Sequence, residues 1–192
     1  MTETMRGEVG VRAVTYGAFL RGLINDPKGV SAPTPSSPAL AEAIAAQVDP
    51  ARSGLVVELG PGTGAVTAAL IRHLGAARII AIERDTHFAR LLKQNFHGLD
   101  VRCGDALAFE EFLPPGADVA AVVSGVPLLH LPQSARRSLL ARAQDRQGRG
   151  GLFIQLSYSW RPPVAPLAGM SLAKRAVWRN FPPAHVWTYR AA

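Results

Sequence analysis

The run LVVELGPGTG (55–64) constrains this chain more than any other stretch. A short apolar segment suited to a buried strand leads directly into Gly60, Gly62 and Gly64, and AVTAALIRHL (65–74) then reads as a helix. A strand that turns at once into a helix needs backbone at positive φ, and glycines there let a ligand approach the main chain closely. The alternation continues. RIIAIE (78–83) reads as a second strand and THFARLLKQNF (86–96) as a helix with an apolar face of Phe88, Leu91, Leu92 and Phe96. LDVRC (99–103) and DVAAVVS (118–124) read as strands, 133–147 as a basic helix, and GLFIQLSY (151–158) as a fifth strand. Two strand-like runs, 174–181 and 184–190, flank Pro182-Pro183 and suggest an antiparallel pair. Upstream, Ser37-Pro38 supplies a cap and a first-turn proline for an alanine-rich helix through Gln47. A short amphipathic helix is expected from about Val11 to Asn25. Strands alternating with helices predict an α/β fold, with a parallel sheet covered on both faces and its strand C-termini along one ligand-binding edge. At 192 residues the chain is the size of one domain.

The acids at that edge select among ligands. Glu58 lies two residues before Gly60, where a pyrophosphate resting on the turn would meet its charge. S-adenosylmethionine has no phosphate and carries a sulfonium and an ammonium, so a carboxylate suits it better than it suits NAD or FAD. Glu83 ends the second strand, the position of an acid that takes ribose hydroxyls. Asp105, in CGDA after the third strand, is placed to accept from an adenine amino group. Each acid alone reads equally as a loop or capping carboxylate. Three at successive strand ends of one edge read as a site.

The charge is +7, and its placement matters more than its size. From Pro132 onward Asp145 is the only acid among ten arginines and lysines. This third of the chain is either a solvated surface or faces an anionic partner, nucleic acid or phosphate head groups. The single cysteine, Cys103, excludes an internal disulfide and a cysteine-clustered zinc site, and is expected to be a buried thiol. No metal is expected. The N-terminus carries acids and glycines where a secretory signal would be apolar, so a cytoplasmic protein is expected.

On VVELGPGTG, AIERD, CGDA and AVVSGVP the chain resembles a class I S-adenosylmethionine-dependent methyltransferase. The resemblance implies a Rossmann-like, mostly parallel seven-stranded sheet with an antiparallel C-terminal strand pair. It makes 49–192 the methyltransferase domain and 1–48 an N-terminal helical segment that contacts membrane or covers the cofactor. The cofactor residues would be Glu58, Gly60, Pro61, Gly62, Thr63 and Gly64 from the turn. Glu83, Arg84, Gly104, Asp105, Ala106 and Ser124 would come from the next strand ends.

Two subfamilies share this loop. Ribosomal RNA adenine dimethyltransferases follow the fourth strand with Asn-x-Pro-aromatic, whose amide and ring hold a flipped base. Here Gly125 stands at the asparagine and Leu128 at the aromatic. SGVPLL (124–129) instead resembles the Ser-Gly-Leu-Pro-Leu-Leu of bacterial phospholipid N-methyltransferases. FLRGLINDPKGVSAPTPSSPAL (19–40), QLSYSWRPPV (155–164) and VWRNFPPAHVWTYR (177–190) are similar to the same family. That resemblance implies methylation of phosphatidylethanolamine by a monomer docked peripherally at the inner face of the cell membrane, with an anionic surface as partner. Tyr158 and then His130 are its candidates for handling the amine, and Arg161, Arg175 and Arg179 for the lipid phosphate. For Tyr158 a core role and for His130 a solvent-facing loop remain open. Trp160, Trp178 and Trp187 fall among these cations, as core packing or as interfacial aromatics. Residues 1–30 carry apolar and cationic side chains suited to an interfacial anchor, with a cofactor lid as the alternative.

Overall fold

The computed structural model describes residues 36–192. The expected helix over Val11–Asn25 and the expected anchor or lid over 1–30 lie outside the described residues. The described chain runs α1 (Pro38–Ala45), β1 (Leu55–Leu59), α2 (Ala65–Leu74), β2 (Ile79–Glu83), α3 (Thr86–Asn95) and β3 (Asp100–Cys103). It continues through β4 (Val119–Ser124), α4 (Gln133–Gln147), β5 (Leu152–Ser157), β6 (Met170–Val177) and β7 (Ala184–Ala191). Short 3-10 turns lie at Ala76–Arg78, Ala106–Phe112 and Leu128–His130.

The strands form one seven-stranded sheet in the order β3-β2-β1-β4-β5-β7-β6. β1 to β5 pair in parallel, and β7 runs antiparallel between β5 and β6. The expected α/β fold and the antiparallel C-terminal pair are therefore present. Neighbouring residues divide between two cores, as side chains on a pleated strand must. Val56, Ile79, Val123 and Ile154 pack with Leu40, Ile44 and Leu70 on one face. Val57, Ile80, Val122 and Phe153 pack with Phe109, Leu139 and Leu140 on the other. Both faces are covered, so the strands are apolar throughout rather than alternating. Residues 38–48, grouped by sequence with the N-terminal segment, pack into the first of these cores. Ser37 caps α1, its Oγ accepting from Leu40 N at 3.2 Å.

Two local expectations are corrected. β6 spans 170–177 rather than 174–181. Its register with β7, Met170 opposite Ala191 through Val177 opposite Ala184, leaves 178–183 as the connection. Pairing with β7 therefore overrides the β-propensity of Trp178 and Phe181, and Pro182-Pro183 cannot donate to a ladder. Cys103 is exposed, not buried. It closes the edge strand β3, where its Sγ approaches the Arg84 carbonyl at 3.9 Å. On α3 the buried side chains are Ala89 and Leu92, joined by Phe96, while Phe88 and Leu91 are half-buried.

Candidate functional site

The parallel strands place Leu59, Glu83, Cys103, Ser124 and Ser157 along one edge. The antiparallel pair returns to the same edge with its other ends, so His185 lies opposite Ser157 and Ala176 opposite His185.

The three turn glycines share positive φ, +67° at Gly60, +55° at Gly62 and +84° at Gly64, but differ in surroundings. A Cβ at Gly62 would meet nothing within 4 Å among the described residues, so these leave the turn open above it. A Cβ at Gly64 would lie 2.6 Å from Phe96 and 2.9 Å from Leu92, so this glycine lets α3 pack against the turn. Gly62 is thus where a ligand can lie, and Gly64 is where the protein itself lies. Glu83 shapes the turn. Its Oε2 accepts from Gly62 N and its Oε1 from Asp85 N, both at 2.9 Å.

Glu58 is buried beneath the turn, where its Oε2 accepts from Thr67 Oγ1 at 2.7 Å. Burial pushes its carboxyl up to about 7, the Thr67 hydrogen bond opposes this, and the Glu83 charge adds to it. Thr67 was not singled out in the sequence. Its place three residues after Gly64, one helical turn into α2, was the available signal. Asp105 is exposed and caps the 106–112 turn, Oδ1 accepting from Leu107 N at 2.9 Å. Pro61, Thr63, Gly104 and Ala106 flank these groups, and Arg84 is exposed after β2. Ser124 is buried, its Oγ accepting from Val126 N at 3.3 Å. An open backbone cradle with two carboxylates beside it fits a cationic, phosphate-free ligand such as S-adenosylmethionine.

The other half of the edge is built differently. Gly125 N donates to Leu59 O at 2.8 Å, and a Cβ at Gly125 would fall 2.7 Å from Gly60 O. Leu128 is buried against the α4 core, while Leu129 and His130 are exposed. Tyr158 packs against the α1 core, and its buried hydroxyl has no hydrogen-bond partner among the described residues. His185, another residue the sequence reading missed, is held below the ordinary histidine range by burial and then by the Lys174 charge, while a backbone contact with Ser159 opposes them. Its Nδ1 also lacks a partner among the described residues. Its position in the β7 run, facing the edge only because β7 is antiparallel, gave no pattern to read. Arg161, Arg175 and Arg179 are exposed, and the Arg161 guanidinium lies 4.6 Å from the Trp160 ring centre. Trp187 is buried, whereas Trp160 and Trp178 are exposed. No described helix is long and apolar enough to cross a membrane.

Residues 56–151 match the methyltransferase-domain family. The chain is 31% identical over 145 residues to an ornithine lipid N-methyltransferase of Singulisphaera acidiphila, covering 72% of this chain and 76% of that one. It is 46% identical over 69 residues to ribosomal RNA small subunit methyltransferase A of Dechloromonas aromatica, a match spanning 35% of this chain and only 27% of that protein. The fold is similar to a precorrin-6y C5,15-methyltransferase of Geobacter metallireducens, with TM-score 0.61, 14% identity, and 87% and 96% of the two chains covered. It is also similar to S-adenosylmethionine-bound CalS10 of Micromonospora echinaspora, with TM-score 0.53, 18% identity, and 92% and 66% covered. The family match, and a relative aligned over three quarters of its length, agree with the glycine cradle and its carboxylates: the chain belongs to the class I S-adenosylmethionine-dependent methyltransferases and takes S-adenosylmethionine as cofactor.

Proposed function

We propose that this enzyme methylates the primary amine of a membrane lipid head group, with phosphatidylethanolamine as the acceptor. The observation that carries the reading is Gly125. An adenine-N6 enzyme needs an amide at this position, and here any side chain would press on Gly60 O at 2.7 Å from its Cβ. Leu128, at the place of the stacking aromatic, is buried in the core and offers no ring. The long match to a lipid N-methyltransferase, against a short match to the RNA enzyme, supports the same side. The relative's name makes an ornithine lipid the second acceptor to test, since it too bears a primary amine.

The cofactor supplies an electrophilic methyl group. The open backbone at Gly62 and the Glu83 carboxylate would hold and orient it, with Glu58 buried beneath the turn, so the reaction would gain mostly from positioning. The lipid amine must lose a proton before its lone pair can form the new N–C bond as the S–C bond breaks. His185, on the acceptor edge opposite Ser157 and held below the ordinary histidine range, is the group we assign to take that proton. Tyr158 and His130 remain neighbours of the acceptor half, and Arg161, Arg175 and Arg179 supply forked donors for the lipid phosphate. The test is transfer of labelled methyl to mixed vesicles, to ornithine lipid and to ribosomal RNA. Label in phosphatidylethanolamine is expected. Label in RNA with none in either lipid overturns the proposal.

A further inference from the structure

The described residues expose four large hydrophobic side chains, Leu129, Trp160, Trp178 and Phe181. All four sit at one edge of the sheet. Leu129 follows β4, Trp160 follows β5, and Trp178 and Phe181 lie in the β6–β7 connection. In the order β4-β5-β7-β6 these loops are neighbours, and with strands ~4.8 Å apart they span roughly 14 Å. Lys174 Nζ donates to the Trp160 carbonyl at 3.1 Å, tying the loop after β5 onto β6. Trp160 and Trp178 are 67% and 77% exposed, far beyond Trp187 at 5%. A single exposed apolar residue needs no explanation, but a cluster on one rim does.

The cations belong to the same rim. Arg161 stacks on Trp160, and Arg179 follows Trp178 directly. Tryptophans beside arginines match the boundary of a bilayer, where rings sit at head-group depth and guanidinium groups meet phosphates. Aromatic and cationic side chains also occur in single-strand nucleic-acid sites, where rings act as stacking platforms along a groove. Here an aliphatic and three aromatic side chains come from three neighbouring loops, which suits insertion into a surface better than stacking of successive bases along a groove. The described chain also begins here, since Ser37 N donates to Asn180 Oδ1 at 2.9 Å.

We infer that the rim formed by Leu129, Trp160, Trp178 and Phe181, with Arg161 and Arg179, docks the enzyme on an anionic lipid bilayer. The docking face is thus the acceptor edge itself, so a head group would reach the site without leaving the membrane. The inference rests on the lipid-amine reading for its biological surface, but its test does not need methyl transfer.

The test uses the full chain and a Trp160→Ser/Trp178→Ser double variant, sedimented with vesicles of phosphatidylcholine alone or mixed with phosphatidylglycerol. The wild type should prefer the anionic vesicles and release as salt rises. The double variant, shown folded by unchanged cofactor binding, should bind roughly 10-fold more weakly. Equal binding by variant and wild type overturns the inference, because docking must then lie elsewhere. So does retention on ribosomal RNA with none on vesicles. Should the double variant not fold, vesicles with brominated acyl chains decide on the wild type: quenched tryptophan fluorescence supports the inference, and unquenched fluorescence overturns it. Vesicle binding by a protein that methylates no lipid would keep the docking surface and remove the lipid-amine reading.

Discussion

The two halves of the functional edge follow opposite rules. From β1 to β3 the polar groups are engaged: Glu83 holds two backbone amides, Glu58 holds Thr67, Asp85 caps α3, and Asp105 caps the 106–112 turn. From β5 to β7 several are not, since Tyr158 Oη, His185 Nδ1, Gln155 Oε1 and Trp187 Nε1 have no partners among the described residues. Exposed rings crowd that half as well. The first half is organised before any ligand arrives, which suits a cofactor common to a large family. The second keeps buried polar atoms unmatched, which costs stability unless a substrate or water meets them. On the proposed function, the difference separates holding a common donor from recognising a particular acceptor.

Substitutions can break that contrast, most strongly within the glycine turn. Gly64→Ala sets a methyl against Phe96 and Leu92 at positive φ and should cost about 3 kcal/mol in urea unfolding. Gly62→Ala has open space among the described residues, so only the backbone cost of about 1 kcal/mol is expected. Its main effect should be weakened cofactor binding by calorimetry. Equal stability losses at the two positions would show that the turn does not divide ligand from core as argued.

Glu58 offers an effect of similar size in pH. Its folded pKa of about 7 lies above the ordinary 4.5, so between these values the folded state binds more protons than the unfolded one. This contribution to stability is fully present below pH 4.5 and is lost as pH rises through 7, about 3 kcal/mol in all. Glu58→Gln keeps an acceptor for Thr67 and removes the titration. The variant should match the wild type in melting temperature near pH 4 and exceed it above pH 7. A flat wild-type profile across that window would falsify the assignment.

Glu83→Gln should cost about 1–2 kcal/mol, because an amide offers one acceptor oxygen to two backbone donors. Cofactor affinity should fall with it, measured by calorimetry. On the acceptor half, His185→Gln should change stability by less than about 1 kcal/mol. Methyl transfer should nonetheless drop roughly 100-fold, with loss of an acid limb that in the wild type lies below pH 6.5. Full activity with an unaltered pH profile would return the base to Tyr158 or His130.

The glycine turn and the acids beside it were legible in the chain because their information is local. Strand, glycine turn and helix are contiguous from Leu55 to Leu74, and Glu83 and Asp105 close the next two strands, so their meeting at one edge follows from right-handed crossovers. Gly125 and Leu128 could be read against adenine chemistry for the same reason. Other features depend on distant partners. Phe96 and Leu92 fill the space over Gly64 from a different helix, which no spacing within the turn reveals. β6 lies four residues earlier than its aromatics suggest, because β7 sets its register across a six-residue connection. That same pairing separates three similar tryptophans, burying Trp187 while Trp160 and Trp178 reach the rim. It also carries His185 to the edge where Ser157 ends β5. Local sequence determined the cofactor cradle because hydrogen bonds and turn geometry act over a few residues. Tertiary structure alone decided the acceptor half, because antiparallel pairing between strands distant in the chain chooses which side chains are covered and which face outward.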